Sequence, residues 1–236
     1  MAIGAGIAGQ FGCYAEGTYG ASGAPDLFLP IDPGESMKLT IARDEVGESI
    51  GRTTTTALSG DWTQGKKEAA GNLPFTVYNK GFTRLLYHSM GAATSATPSG
   101  GTNARLWTCG FDNLLGRSMS VQIGRPDIGG TVRPFTYLGS KVNEVELSSS
   151  VDGFLKMNLG MVARDEDTVQ ALATASYSAG LVPLHWAGGA ITVSGSAPGV
   201  VSDFNCKWSN GLKPDRFGIS TSRLQSQPIQ EGLREV

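Results

Sequence analysis

Charge is scarce in this chain. Asp, Glu, Lys and Arg make up 17% of its 236 residues, against roughly 25% in ordinary soluble domains. The 19 basic residues are offset by 21 acidic ones, leaving a net charge of −2. A protein that grips phosphates needs a basic footprint, so specific nucleic-acid binding is not expected. Cysteine is equally sparse: Cys13, Cys109 and Cys206 are widely spaced, form no C-x-x-C, and none stands close to His88 or His185. That spacing argues against a disulfide framework or a zinc site and for reduced thiols. The first basic residue is Lys38, and Ala2 to Gly9 is too short and too rich in glycine for a signal h-region. Neither export nor membrane spanning is indicated, and the expectation is a chain made and kept in a cytoplasm.

Catalytic signatures are missing as well. There is no G-x-S-x-G, H-E-x-x-H, EF-hand or kinase motif. Gly4, Gly6 and Gly9 match G-x-G-x-x-G, but a dinucleotide fingerprint follows a strand and only three residues precede Gly4. Gly60 to Lys67, GDWTQGKK, approaches a P-loop, yet Lys67 stands where a Ser or Thr hydroxyl must hold Mg²⁺. We read it as a strand-to-strand turn. Glu144 with Glu146, and Asp165 with Asp167, are two apart on strands and so share a face. Without an environment that raises a carboxyl pKa they read as solvated or lumen-facing rather than as an acid and base pair. The expectation is no catalytic residue, no cofactor and no metal, hence no enzyme.

What is abundant is glycine, 33 residues, about double the usual ~7%, together with strand-like alternation. The most informative stretch runs from Phe135 to Asp167. Val145 and Leu147 alternate with Glu144 and Glu146, and Leu155, Met157, Leu159 and Met161 alternate with Lys156, Asn158 and Gly160. That period of two predicts a long β-hairpin with one apolar and one polar face. Its turn falls in Ser148 to Gly153, where Asp152-Gly153 supplies left-handed backbone. Such a ribbon needs a second layer on its apolar face and cover for its edges.

Elsewhere, Met1 to Pro33 reads as an extended arm (residues 1–33), because Pro25, Pro30 and Pro33 argue against a central strand. The remainder, residues 34–236, reads as one β-rich domain. Met37, Leu39 and Ile41 open a strand, the β-branched run Thr53 to Thr56 is extended, and Leu73 to Tyr78 follows the expected turn. Asn79 to Met90 changes period: Phe82, Leu85, Leu86 and Ser89 fall on one helical face, with Asn79 as N-cap, Gly91 as stop, and His88 as a packed helix residue. Ala92 to Asn103 reads as a loop that is either mobile or held by a neighbour, Leu106 to Thr108 and Ser118 to Ile123 as strands, and Arg125 to Gly130 as a turn. Thr168 to Ser176 suggests a short turn of helix. Ala190 to Val193 and Val200 to Trp208 suggest a second antiparallel pair around Gly195 to Gly199.

The central segment Tyr137-x-Gly139-x-Lys141-Val142 with Leu147, closed by Asp165, Glu166 and Asp167, resembles the major tail tube protein of long-tailed (siphovirus-like) bacteriophages. The likeness extends to MAIGAGIAGQFG, TYGASGAPDLFLP, NKGFTRLLYHSMGA, VQIGRPDIGGTVRPFTY, ALATASYSAGL and EGLREV, and so spans nearly the whole chain. It implies a mainly β fold: an antiparallel β-sandwich or barrel subunit with long hairpins and one flanking helix, completing an intermolecular β-barrel tube. It also implies stacked hexameric rings of this chain, assembled in the bacterial host cytoplasm around a tape measure protein and ended by tail terminator and distal tail proteins. DNA passes through only in transit on ejection, and no membrane is involved. Glu144, Glu146, Lys156 and Asn158 are then candidates for the lumen, and Val145, Leu147, Leu155, Met157 and Leu159 for the hairpin core between subunits. Relatives are expected to continue with more strand after EGLREV, so the chain looks short at its C terminus. The alternatives are a tube of a contractile tail or secretion system, a ligand-binding β-barrel with an apolar cavity, and a nucleotide enzyme resting on the two glycine motifs.

Overall fold

The computed structural model describes residues 9–45, 62–96, 106–190, 196 and 200–235. Thr53 to Thr56, Gly195 to Gly199 apart from Ser196, and most of the expected strand Ala190 to Val193 lie outside them, as do Gly4 and Gly6. In chain order the strands are β1 (Gln10–Ala15), β2 (Leu27–Leu29), β3 (Lys38–Glu45) and β4 (Trp62–Thr76). The helix α1 (Phe82–Met90) precedes β5 (Gly91–Ala96), β6 (Leu106–Phe111), β7 (Met119–Pro126) and β8 (Val132–Ser150). Then come β9 (Lys156–Ala163), β10 (Asp165–Asp167), β11 (Asp203–Ser209), β12 (Leu212–Lys213) and β13 (Ile229–Gln230).

The fold is mainly β, with antiparallel strands ordered β2-β1-β7-β8-β9-β4-β3 and with β10 and β11 also paired to β8. The sheet curls over on itself. β1 and β4 stand four strands apart in that order, which in a flat sheet is roughly 19 Å at ~4.8 Å per strand. Yet the rings of Phe11 on β1 and Phe75 on β4 meet edge to face at 5.0 Å. Phe75 in turn packs on Phe82 of α1 at 5.8 Å. No closed barrel forms among the described residues.

β8 is the fold line. Its first half, Val132 to Ser140, pairs with β7 and β10, and its second half, Lys141 to Ser150, pairs with β9 and β11. The change occurs at Gly139, whose φ of 63° suits a residue without Cβ. Opposite it the β7 register slips between Met119 and Val121. A bulge then follows at Asn143, so that Val142 and Val145 both reach the core although three residues apart. The bulged residue is tied down, its carbonyl accepting the Asn210 N–H at 2.7 Å and its Oδ1 the Leu212 N–H at 3.0 Å.

Several expectations are corrected. Gln10 to Ala15, expected in an extended arm, form a strand between β2 and β7 with Phe11 and Cys13 fully buried. The glycine that suggested flexibility there is a packing requirement: a Cβ on Gly12 would lie 2.8 Å from the Phe28 ring and from Pro25. Trp62 to Lys67 are not a turn but the first part of β4, paired with β3. Asn79 does not cap α1; Gly81 does, while Asn79 Oδ1 accepts the Val182 N–H at 3.1 Å. Gly91 ends the helix as expected. Ala92 to Ala96 pair with β6 rather than forming a loop. Thr168 to Ser176 contain no helix, and Gln122 holds this segment through Ala173 N–H and Ala171 C=O. The hairpin turn lies at Val151 to Gly153, with Asp152 (φ 62°) and not Gly153 in the left-handed region.

The hairpin's edges and apolar face are both occupied within the chain. β9 is covered by β4, and β8 by β11, so the ribbon is central in its own chain. Val145, Met157 and Leu159 are buried to 0–1% exposure, with Leu147 and Leu155 half-buried against them. They belong to the chain's own core, for which the curled sheet and α1 supply the second layer.

Candidate functional site

The outward face of the β3-β4-β9-β8-β11 layer brings the four candidate lumen residues together. Glu144 lies opposite Gly160 and Glu146 opposite Asn158, while Lys156 lies opposite Ser148. On the far side of β9, Asn72, Pro74 and Thr76 stand opposite Gly160, Asn158 and Lys156. The surface is therefore built from small and polar side chains, since the apolar partners of each alternating strand point into the core.

Its charges are largely neutralised locally. Lys207 Nζ lies 3.2 Å from Glu144 Oε2, and Glu146 Oε1 accepts from Asn205 Nδ2 at 2.9 Å. Lys156 Nζ lies 2.7 Å from Asp32 Oδ2 and donates to Thr76 Oγ1 at 2.6 Å. Lys66 and Glu68 pair at 2.5 Å further along β4. A shallow depression of about 170 Å³ sits among Asn72, Glu144, Glu146, Asn158, Gly160 and Lys207. Lys66, Lys156 and Lys207 each meet a carboxylate, which reduces what this face offers an anionic polymer.

The layer also has two edges. Among the described residues β3 pairs only with β4, and β11 carries a single bridge on its outer side, Ser209 with Glu235. Open edges of this kind accept another strand.

The residues that carry other chemistries are dispersed. His88 is buried in α1 at 3% exposure with its Nδ1 unpartnered, and desolvation together with the charges of Arg84 and Arg117 lowers its pKa to about 4. It is a neutral packing residue at neutral pH. His185 sits at the surface by Phe154 and Trp186. Lys67 belongs to an extended strand and pairs with Asp165 at 3.5 Å, so no phosphate cradle surrounds it. Among the described residues no group of three or more His, Cys, Asp or Glu could hold a metal, and no helix is long and apolar enough to cross a membrane.

Sequence reasoning missed the groups that shape the site. Glu16 is buried, and its carboxylate accepts from Gly139 N–H, Ser120 Oγ and Gly20 N–H, each at 2.8 Å. Arg125 grips Glu35 at 2.7 Å and donates to the Met37 carbonyl at 2.6 Å, where Tyr137 Oη also donates at 2.8 Å. Lys141 is buried, donating to the carbonyls of Leu114 at 2.8 Å and Pro228 at 3.0 Å, and burial pushes its pKa down to about 8. The motif Tyr137-x-Gly139-x-Lys141 thus marks the strand's bend and its anchors. Nothing in the sequence pattern marks Glu16.

The chain matches the family described as phage tail tube protein over residues 6–236. It belongs to the phage tail tube protein family. A tail tube protein has a structural role in the phage tail, self-assembles and contacts other tail proteins, and its family is not one of enzymes. None of the curated proteins is significantly similar in sequence. Among solved structures, the cryo-EM structure of the anti-feeding prophage cap (the AFP tube terminating cap) aligns over 71% of this chain and 90% of that one. The identity is 11% and the TM-score 0.40, so the assignment rests on the family match.

Proposed function

We propose that this tail tube protein forms hexameric rings that stack into the tube of a long-tailed phage and serve as the conduit for DNA ejection. The observation that carries the reading is the β3-β4-β9-β8-β11 layer: one face packed in the core, the other mainly small and polar, and, among the described residues, an outer edge on β3 with no partner strand and one on β11 with the single bridge Ser209–Glu235. Joining β3 of one copy to β11 of the next closes such layers into a barrel and removes every edge. Six copies of five strands give about 145 Å of wall, or about 45 Å across before any strand tilt. That is wider than a DNA duplex. Glu144, Glu146, Lys156 and Asn158 then face the bore, where paired charges let DNA slide without holding it.

In the same reading the tube grows in the host cytoplasm around a tape measure protein and meets terminator and distal tail proteins at its ends. Electron microscopy and sedimentation of the purified chain test the proposal. Six-fold rings or hollow tubes support it, and a compact monomer at all concentrations contradicts it.

A further inference from the structure

Lys141 is a buried cation held by neutral groups alone. It is 1% exposed, and its Nζ donates to the Leu114 carbonyl at 2.8 Å and the Pro228 carbonyl at 3.0 Å. With the Gln227 amide turned so that its oxygen faces inward, that oxygen takes the third proton at 3.0 Å. These acceptors satisfy the three N–H groups but leave the charge uncompensated. Among the described residues no carboxylate pairs with it, and burial is the sole cause that shifts its pKa. The charges on the segments packed against it are engaged elsewhere. Asp112 accepts the Asn113 N–H, Glu231 pairs with Lys213, Arg117 lies over the Tyr87 ring, Arg216 donates to the Gln227 backbone carbonyl, and Arg234 donates to the Met90 carbonyl. Buried charges are ordinarily paired, because taking an ammonium out of water without a counter-ion is costly.

The two segments that hold the ammonium also wall a cavity. Its volume is about 390 Å³, and Lys141 lines it together with Asn113, Leu114, Leu115, Pro228, Ile229 and Gln230. Two of the lining residues, Leu114 and Pro228, are the ones whose carbonyls hold Nζ, which places the charge at the cavity wall. Leu115 and Ile229 are 57% and 38% exposed, so the cavity opens to solvent past apolar side chains. Its size lies within the ~300–1,000 Å³ typical of small-ligand sites, which are mostly apolar with a few placed polar groups.

We propose that this cavity binds a carboxylate carried next to an apolar group, the carboxylate displacing the Gln227 amide oxygen from Lys141 and the apolar part lying against Leu115 and Ile229. One ammonium with one exchangeable acceptor suits a singly charged carboxylate. A phosphate would call for the planar fork of an arginine or for several cations. The site is separate from the polar face assigned to the bore, and the tube reading does not depend on it.

Calorimetry on the full chain tests the site with hexanoate and with N-acetyl-Leu-Glu-amide as probes, and with hexanol and inorganic phosphate as controls. Both carboxylates should bind and the controls should not. Tighter binding of hexanoate assigns the site to a free alkyl carboxylate, and tighter binding of the peptide assigns it to an acidic side chain of a protein segment. Affinity should be level between pH 6 and 7 and should weaken by up to tenfold per pH unit above 8, as the free amine loses its proton. The Lys141 ¹³Cε resonance of lysine-labelled chain should titrate near 8 in the free protein and move up towards the ordinary 10.5 with hexanoate bound. Lys141→Met should abolish binding. Gln227→Glu, which supplies a carboxylate from within the chain and keeps Lys141, should weaken hexanoate by roughly tenfold or more. Absence of binding by both carboxylates, affinity unchanged in Gln227→Glu, or affinity level from pH 7 to 10 would overturn the proposal.

Discussion

Glu16 Oε1 accepts the Gly139 N–H at 2.8 Å across 123 residues of sequence. The contact sits where β8 passes from one half of the curled sheet to the other, and the same carboxylate also holds Ser120 and the Gly20 turn. Removing the acceptor leaves buried donors without partners, which costs about 1–3 kcal/mol for each affected group. Glu16→Ala should therefore lower the denaturation free energy by several kcal/mol and Glu16→Gln, which keeps one acceptor, by less. Denaturant titrations of the three proteins check the order.

Acid should weaken the fold through His88. Its pKa is about 4 in the folded chain against an ordinary 6.5, so the unfolded chain binds the proton first. The stability contribution is fully present above pH 6.5 and is lost as pH falls through 4, amounting to roughly 3 kcal/mol. His88→Gln should flatten the pH dependence between 6.5 and 4. An unchanged slope would place the acid sensitivity elsewhere.

Truncation should now distinguish positions that the hairpin's alternation treats alike. Leu159→Ala and Met157→Ala, at fully buried sites, should each cost about 2–5 kcal/mol. Leu147→Ala, only half-buried, should cost less, and Ser149→Ala should stay within about 0.5 kcal/mol. Melting temperatures of the purified variants give the ranking.

The alternation from Glu144 to Met161 made the two faces of the hairpin legible because a period of two needs no tertiary information. The helix was legible for the same kind of reason, from Phe82 to Ser89. What could not be read was which layer covers the apolar face, since the curl that brings Phe11 onto Phe75 is a property of the whole sheet. The burial of Val145 and Leu159 under the chain's own curled sheet was hidden for that reason. β1 was hidden because Gly12 looks like punctuation in sequence and acts as close packing against Phe28 in the fold. The roles of Glu16 and Lys141 were hidden because most of their partners are backbone groups, which carry no sequence signature.

Reversing charge on the polar face should slow DNA without stopping assembly. Glu144→Lys with Glu146→Lys removes the carboxylate facing Lys207 and the acceptor of Asn205, both on exposed contacts of small energetic weight. Repeated around a ring, the new lysines form a basic belt, screened over roughly 8 Å in physiological salt. Tails should reach normal length while ejection slows, with partial relief at higher salt. Normal ejection at low salt from normal tails would place these glutamates outside the bore.

Which face of the β3-β4-β9-β8-β11 layer meets the bore decides how the tube carries DNA, and a cryo-EM reconstruction of the assembled chain measures that directly. The predicted result is a hollow tube with Glu144, Glu146, Lys156 and Asn158 lining the lumen, and Val145, Met157 and Leu159 within each subunit. A tube lined by α1 or by the β2-β1-β7 side, or an assembly with no continuous wall between β3 and β11, would contradict it.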